Sequence, residues 1–116
     1  MQIVATRHDV HPADDPTQLE FTVAEDAPPQ DVIRRAADPD WLPSISGGKA
    51  TWSVVSDGPL AVVAQQWSEP RCLPFLEQRW RNALRRDGAL RLHFNYHAQL
   101  SPEDVYRLLW GMKFRA

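Results

Sequence analysis

The stretch Thr51–Trp67 reads TWSVVSDGPLAVVAQQW, and it decides the fold. Two β-rich runs flank the turn residues Ser56, Asp57, Gly58 and Pro59, which makes the stretch a hairpin. The second run, Leu60 to Ala64, is apolar at every position. A strand apolar on both faces has to be covered on both, or lie mid-sheet with one face deeply buried. The core therefore centres on this hairpin, with Val62 and Ala64 almost fully buried, and the hairpin carries no evident chemistry of its own.

Working outward, residues 1–8 alternate with period two and read as a strand. Residues 9–17 hold two prolines and three aspartates and read as a loop. Gln18 to Ala24 alternates again, with Leu19, Phe21 and Val23 facing in, so the two runs form a hairpin with a long loop. A helix is predicted over Pro29–Ala37, with Val32, Ile33, Ala36 and Ala37 as its apolar stripe. Asp38-Pro39 ends it, because the residue before proline disfavours the α region.

After the central hairpin, Phe75 to Asp87 reads as a helix with Gly88 at its C′ position. Ala89 to His97 reads as a strand with Leu90, Leu92, Phe94 and Tyr96 on one face and Arg91, His93, Asn95 and His97 on the other. The last helix has Ser101 as N-cap, Pro102 at N1, and Glu103 and Asp104 at the positive end of the helix dipole. Val105, Leu108, Leu109 and Met112 form its predicted stripe.

The element order is ββαββαβα: an α+β fold, with a mixed or antiparallel sheet and helices packed on one face. No repeat, low-complexity tract or linker divides residues 1–116, which are expected to form a single domain. The first five elements, ββαββ, resemble the β-grasp (ubiquitin-like) core in their order. That resemblance implies a scaffold and no activity.

Five Trp, four Phe and two Tyr in 116 residues supply enough apolar area for one core without staples. Cys72 is the sole cysteine, so no intramolecular disulfide can form, which fits a reducing compartment. No apolar run approaches the roughly 18 residues of a membrane span. The first residues lack the basic and apolar regions of a signal peptide. A cytoplasmic protein without membrane contact is the expectation.

The net charge of −2 is unevenly spread. Residues 1–40 carry nine acids against three arginines, whereas residues 71–116 carry nine bases against four acids. The simpler reading has the two halves complementing each other within the fold. The alternative is a basic pole that steers a charged partner.

Candidate chemistry is sparse. His8 and His11, with Asp9, Asp14 and Asp15 nearby, lie in a loop whose Pro12 argues against the helix a shared metal would need, so no metal site is expected. His93 and His97 share a strand face about 13 Å apart and cannot chelate one ion together. Either could be a general base, with Asn95 between them. Cys72 follows Arg71, which could lower a thiol pKa, but no His-Asp arrangement accompanies it. Gly47-Gly48-Lys49 lacks the spacing and the following helix of a phosphate-binding loop. No cofactor is expected.

Arg71, Arg79, Arg81, Arg85, Arg86 and Arg91 fall within 21 residues. Arg79 and Arg86 would occupy one side of the predicted helix, Arg81 and Arg85 another. Trp and Arg dominate interface hot spots, and Trp41, in a loop, is the expected exposed anchor. These features point to a small, non-catalytic protein-binding domain, of the inhibitor or immunity type that neutralises a partner. Its expected contact residues are Arg79, Arg81, Arg85, Arg86 and Trp41. The alternative is a small enzyme or ligand-binding domain using His93, Asn95 and His97. A third reading is a nucleic-acid-binding accessory protein acting through the arginines.

Overall fold

The central hairpin pairs β3 (Thr51–Val55) with β4 (Pro59–Ala64), placing Ser53 opposite Val62 and Val54 opposite Ala61. Its turn runs through Asp57 and Gly58 at φ of 55° and 145°, the half of backbone space that turn residues favour. Val62 and Ala64 are buried, at 0% and 4% exposure. The computed structural model describes residues 1–7, 18–38, 41–42, 49–74, 76–83 and 85–112, with backbone only at 111 and 112. His8, His11, Asp9, Asp14, Asp15 and the Gly47-Gly48 pair lie outside the described residues.

The remaining strands are β1 (Gln2–Arg7), β2 (Gln18–Thr22), β5 (Arg71–Cys72), β6 (Arg85–Arg86) and β7 (Ala89–Tyr96). The helices are α1 (Pro29–Ala36), α2 (Leu76–Arg81) and α3 (Pro102–Met112). Among the described residues the sheet has seven strands in the order β2-β1-β7-β3-β4-β5, with β6 beside the start of β7. It is mixed: β1 and β7 run parallel, with Ile3 opposite Leu90 and Ala5 opposite Leu92, and the other pairs are antiparallel. The β1–β2 hairpin forms as the alternation predicts, with Val4 opposite Glu20.

One face of the sheet carries Ile3, Ala5, Trp52, Val54, Leu90, Leu92 and Phe94. These residues form one core with Val32, Ile33 and Ala36 of α1 and with Leu76 and Trp80 of α2. The placement of α3 corrects the expectation that all helices share a face. Tyr106 of α3 donates to the Cys72 carbonyl at 3.1 Å, and its ring meets Arg71, which lies opposite Val62. Thr51 donates from Oγ1 to the Leu100 carbonyl at 2.8 Å. α3 therefore covers the Thr51–Ser53–Val62–Ala64 side of the hairpin, which the doubly apolar β4 requires. At 100° per residue, Pro102, Val105, Tyr106 and Leu109 fall within one 100° arc. Leu108 lies outside that arc and is 71% exposed, not part of the stripe.

The helix predicted over 75–87 is also corrected. α2 stops at Arg81, closing with i→i−3 bonds from Asn82 to Arg79 and from Ala83 to Trp80. Asp87 and Gly88, at φ of 54° and 78°, then make a two-residue turn joining β6 to β7. Asp-Gly is a hairpin signal, because both central residues need positive φ. In this sequence it competes with the helix C′ reading of the same glycine.

Candidate functional site

Breaking the helix at Arg81 redistributes the arginine run. Arg79 is half-buried and donates from its terminal nitrogen to the Pro59 carbonyl at 3.1 Å. Its guanidinium lies so close to Gly58 that a Cβ there would meet it at 3.1 Å. Arg79 is thus tied to the hairpin turn. Arg81 ends α2, whereas Arg85 and Arg86 stand on β6; all three are exposed. Arg85 donates to the carbonyls of Arg81 and Ala83, at 3.4 and 3.3 Å, and so links β6 to the end of α2. As strand neighbours, Arg85 and Arg86 project to opposite faces, so the corner presents positive charge on both sides. The helical sides expected from the sequence do not form.

The expected complementation between the two halves of the chain is not seen at this corner. Among the described residues, Arg81, Arg85 and Arg86 make no ion pair. Two acids of the N-terminal half pair elsewhere: Asp31 with Arg34 at 2.9 Å, and Glu25 with the terminal ammonium at 3.3 Å.

Trp41 sits apart from this corner. It is half-buried, with its ring edge-on to Phe94 at 5.6 Å. The buried Arg7 donates to its carbonyl and lies over its ring at 5.1 Å. These contacts hold Trp41 against the core side of the sheet, rather than leaving it as a protruding anchor.

His93, Asn95 and His97 share the opposite face, as the alternation predicts, and all three are half-buried. His93 Nδ1 and Thr6 Oγ1 share a hydrogen bond of 2.7 Å, as do His97 Nε2 and Ser53 Oγ. The direction of each depends on the ring tautomer. A hydroxyl joined to an imidazole is half of a nucleophile–base pair. Ser53 is only 2% exposed, which limits its access to a substrate. Among the described residues, no three His, Cys, Asp or Glu side chains converge on a point where a metal could sit.

Cys72 is half-buried on β5, and burial pushes its thiol pKa up, with Arg34 opposing only in part. The adjacent Arg71 does not activate it. Its guanidinium instead lies over Trp67 at 4.2 Å and faces Tyr106 at 5.6 Å. Glu103 lies close by. Its carboxyl is held below the usual range, chiefly by its own backbone N–H and by the Ser101 hydroxyl, with smaller contributions from Arg71 and Trp67.

Sequence reasoning did not anticipate this cluster, nor the cleft of about 360 Å³ beside it, lined by Arg34, Trp52, Val63, Trp67 and Glu69 among others. Its one visible signal was the pair of tryptophans near the ends of the hairpin. No family model matches the chain, and no curated protein or solved structure is similar to it.

Proposed function

We propose that this protein is a non-catalytic protein-binding domain, of the inhibitor or immunity type, that engages an acidic partner through Arg81, Arg85 and Arg86. One observation carries the reading: three exposed arginines gather at one corner with no acid paired to them among the described residues. Uncompensated charge of this kind steers association and acts mainly on the on-rate. Arg79 and Trp41, the other expected contact residues, are bound into the fold and are left out of the proposed contact set. The parallel β1–β7 pair, with β2 outside β1 and the β3–β4 hairpin outside β7, supports a β-grasp-like scaffold. A cytoplasmic setting is part of the proposal, supported by the single unpaired cysteine. No helix among the described residues is long and apolar enough to cross a membrane.

The test is capture of partners from the native host, with mass spectrometry, using the parent chain and an Arg81→Glu/Arg86→Glu variant. Arg85 is left in place because it links β6 to α2. The reading requires a captured protein whose association slows several-fold in the variant and at raised salt. Equal association of parent and variant removes the corner as the interface. Steep salt-dependent binding to DNA or RNA instead moves the function to nucleic acid.

A second reading, a small enzyme or ligand-binding domain on the His93, Asn95 and His97 face, is favoured by the two imidazole–hydroxyl hydrogen bonds. It requires an activity or affinity lost in His93→Ala or His97→Ala and untouched by the arginine variant.

A further inference from the structure

We propose that the cleft between α1 and the loop 65–70 binds a small zwitterion bearing an aromatic ring, of the class of the aromatic amino acids. The proposal is independent of the arginine corner and uses none of its residues. The cleft holds about 360 Å³, near the lower end of the roughly 300–1,000 Å³ of small-molecule sites. That size suits a ligand no larger than a single amino acid.

The interior is apolar and aromatic. Trp52 and Val63 stand opposite each other across β3 and β4, and Leu42 adds a buried apolar side chain. Trp67 supplies a second indole. Both indoles are held before any ligand arrives: Trp52 packs on the Tyr96 ring at 4.9 Å, and Trp67 carries the Arg71 guanidinium at 4.2 Å. Side chains already fixed lose little freedom on binding.

The polar groups set the ligand's charge. Arg34 Nε and Glu69 Oε1 lie 3.5 Å apart among the lining residues, and both side chains are more than half exposed. Asp31, outside the lining, also pairs with the Arg34 terminal nitrogen at 2.9 Å. Within the lining, one cation beside one anion matches a carboxylate and an ammonium carried on the same carbon. An exposed ion pair is worth little, so trading it for two charge-assisted contacts sacrifices little, and guanidinium–carboxylate pairing is directional. A ligand with one charge makes only one of the two charge-assisted contacts. An uncharged ring gains nothing from the pair.

The test is isothermal titration calorimetry on the full chain with L-tryptophan and L-phenylalanine, compared with N-acetyl-L-tryptophan, L-tryptophanamide and indole. The zwitterions should bind at one site with Kd of about 1 mM or tighter. The two singly charged analogues and indole should bind at least about tenfold more weakly. Arg34→Gln and Glu69→Gln, both at exposed positions, should each cost about tenfold or more with an unchanged circular dichroism spectrum. Trp67→Phe should keep both fold and binding, whereas Trp67→Ala should lose binding. The proposal is overturned if neither zwitterion gives saturable heat at about 10 mM, if the blocked analogues bind as tightly, or if Arg34→Gln and Glu69→Gln both bind like the parent.

Discussion

Arg79 donates to the Pro59 carbonyl at 3.1 Å, so one member of the arginine run fastens α2 to the turn of the central hairpin. Arg81 and Arg86 have no such task among the described residues, and this contrast separates scaffold from surface. Arg79→Ala should cost about 1–2 kcal/mol, as expected for losing a hydrogen bond from a charged donor in a partly exposed setting. Arg81→Ala and Arg86→Ala should each lie within about 0.5 kcal/mol of the parent. Denaturant melts of the three variants check this, and equal costs would show that Arg79 has no structural role.

Val62 is wholly buried between the two sides of the sheet's most apolar strand. A carboxylate there is stripped of water, and the Arg71 guanidinium across the strand pair is already engaged with Trp67 and Tyr106; the change costs several kcal/mol, comparable to the whole stability of a small domain. Val62→Asp should therefore yield no cooperatively folded protein. A soluble variant with a sigmoidal thermal transition would displace β4 from the centre of the fold.

Gly88 adopts φ of 78° with open space where a Cβ would point. Replacing it with Ala meets no clash, so the cost is conformational alone, about 1–2 kcal/mol. Asp87→Asn should be nearly neutral, since asparagine tolerates the same backbone region. Chemical denaturation of the pair checks the turn. A neutral Gly88→Ala would argue against the β6–β7 hairpin.

Ser101 accepts the Val105 N–H at its carbonyl, at 3.0 Å, and donates its hydroxyl to the Glu103 carboxylate, also at 3.0 Å. Both the backbone N–H of Glu103 and this hydroxyl favour the ionised carboxyl and depress its pKa. A carboxyl depressed on folding contributes stability that is present above its unfolded pKa and is lost as pH falls through its folded pKa. The start of α3 should loosen in that acidic window, and Ser101→Ala should move the Glu103 titration back towards ordinary values. Carbon-detected NMR titration of the side chain reads both effects; an unmoved midpoint in Ser101→Ala would remove the hydroxyl from the account.

Patterns confined to one segment were legible in the sequence. The alternation along β7, the apolar run of β4, the stripe of α1 and the proline-led start of α3 all appear where local periodicity places them. Non-local relationships were not legible. Nothing near Ile3 announces Leu90 as its neighbour, because strand pairing over such a distance is decided by the assembled core. The same gap hid the partners of the histidines: the strand face of His93 and His97 followed from alternation, but Thr6 and Ser53 come from other strands. At Asp87-Gly88 two local rules competed, and the sheet chose between them by offering β7 as a partner for Arg85 and Arg86. The arginine corner inherited that error, since its geometry depended on a helix that ends early.

The parallel pair β1–β7 also shapes how the chain reaches its native state. Thr6 and His93, joined across that pair, stand 87 positions apart. Closing so long a loop forfeits chain entropy before any contact repays it, which slows folding of topologies rich in distant pairings. On the ribosome, β1 is made early, yet its inner edge stays open until residues 89–96 emerge. Through that interval the apolar Ile3 and Ala5 side lacks its strand neighbour, a state prone to mispairing with other chains. Synthesis rate and chaperone supply should therefore govern the yield of this protein more strongly than its final stability does.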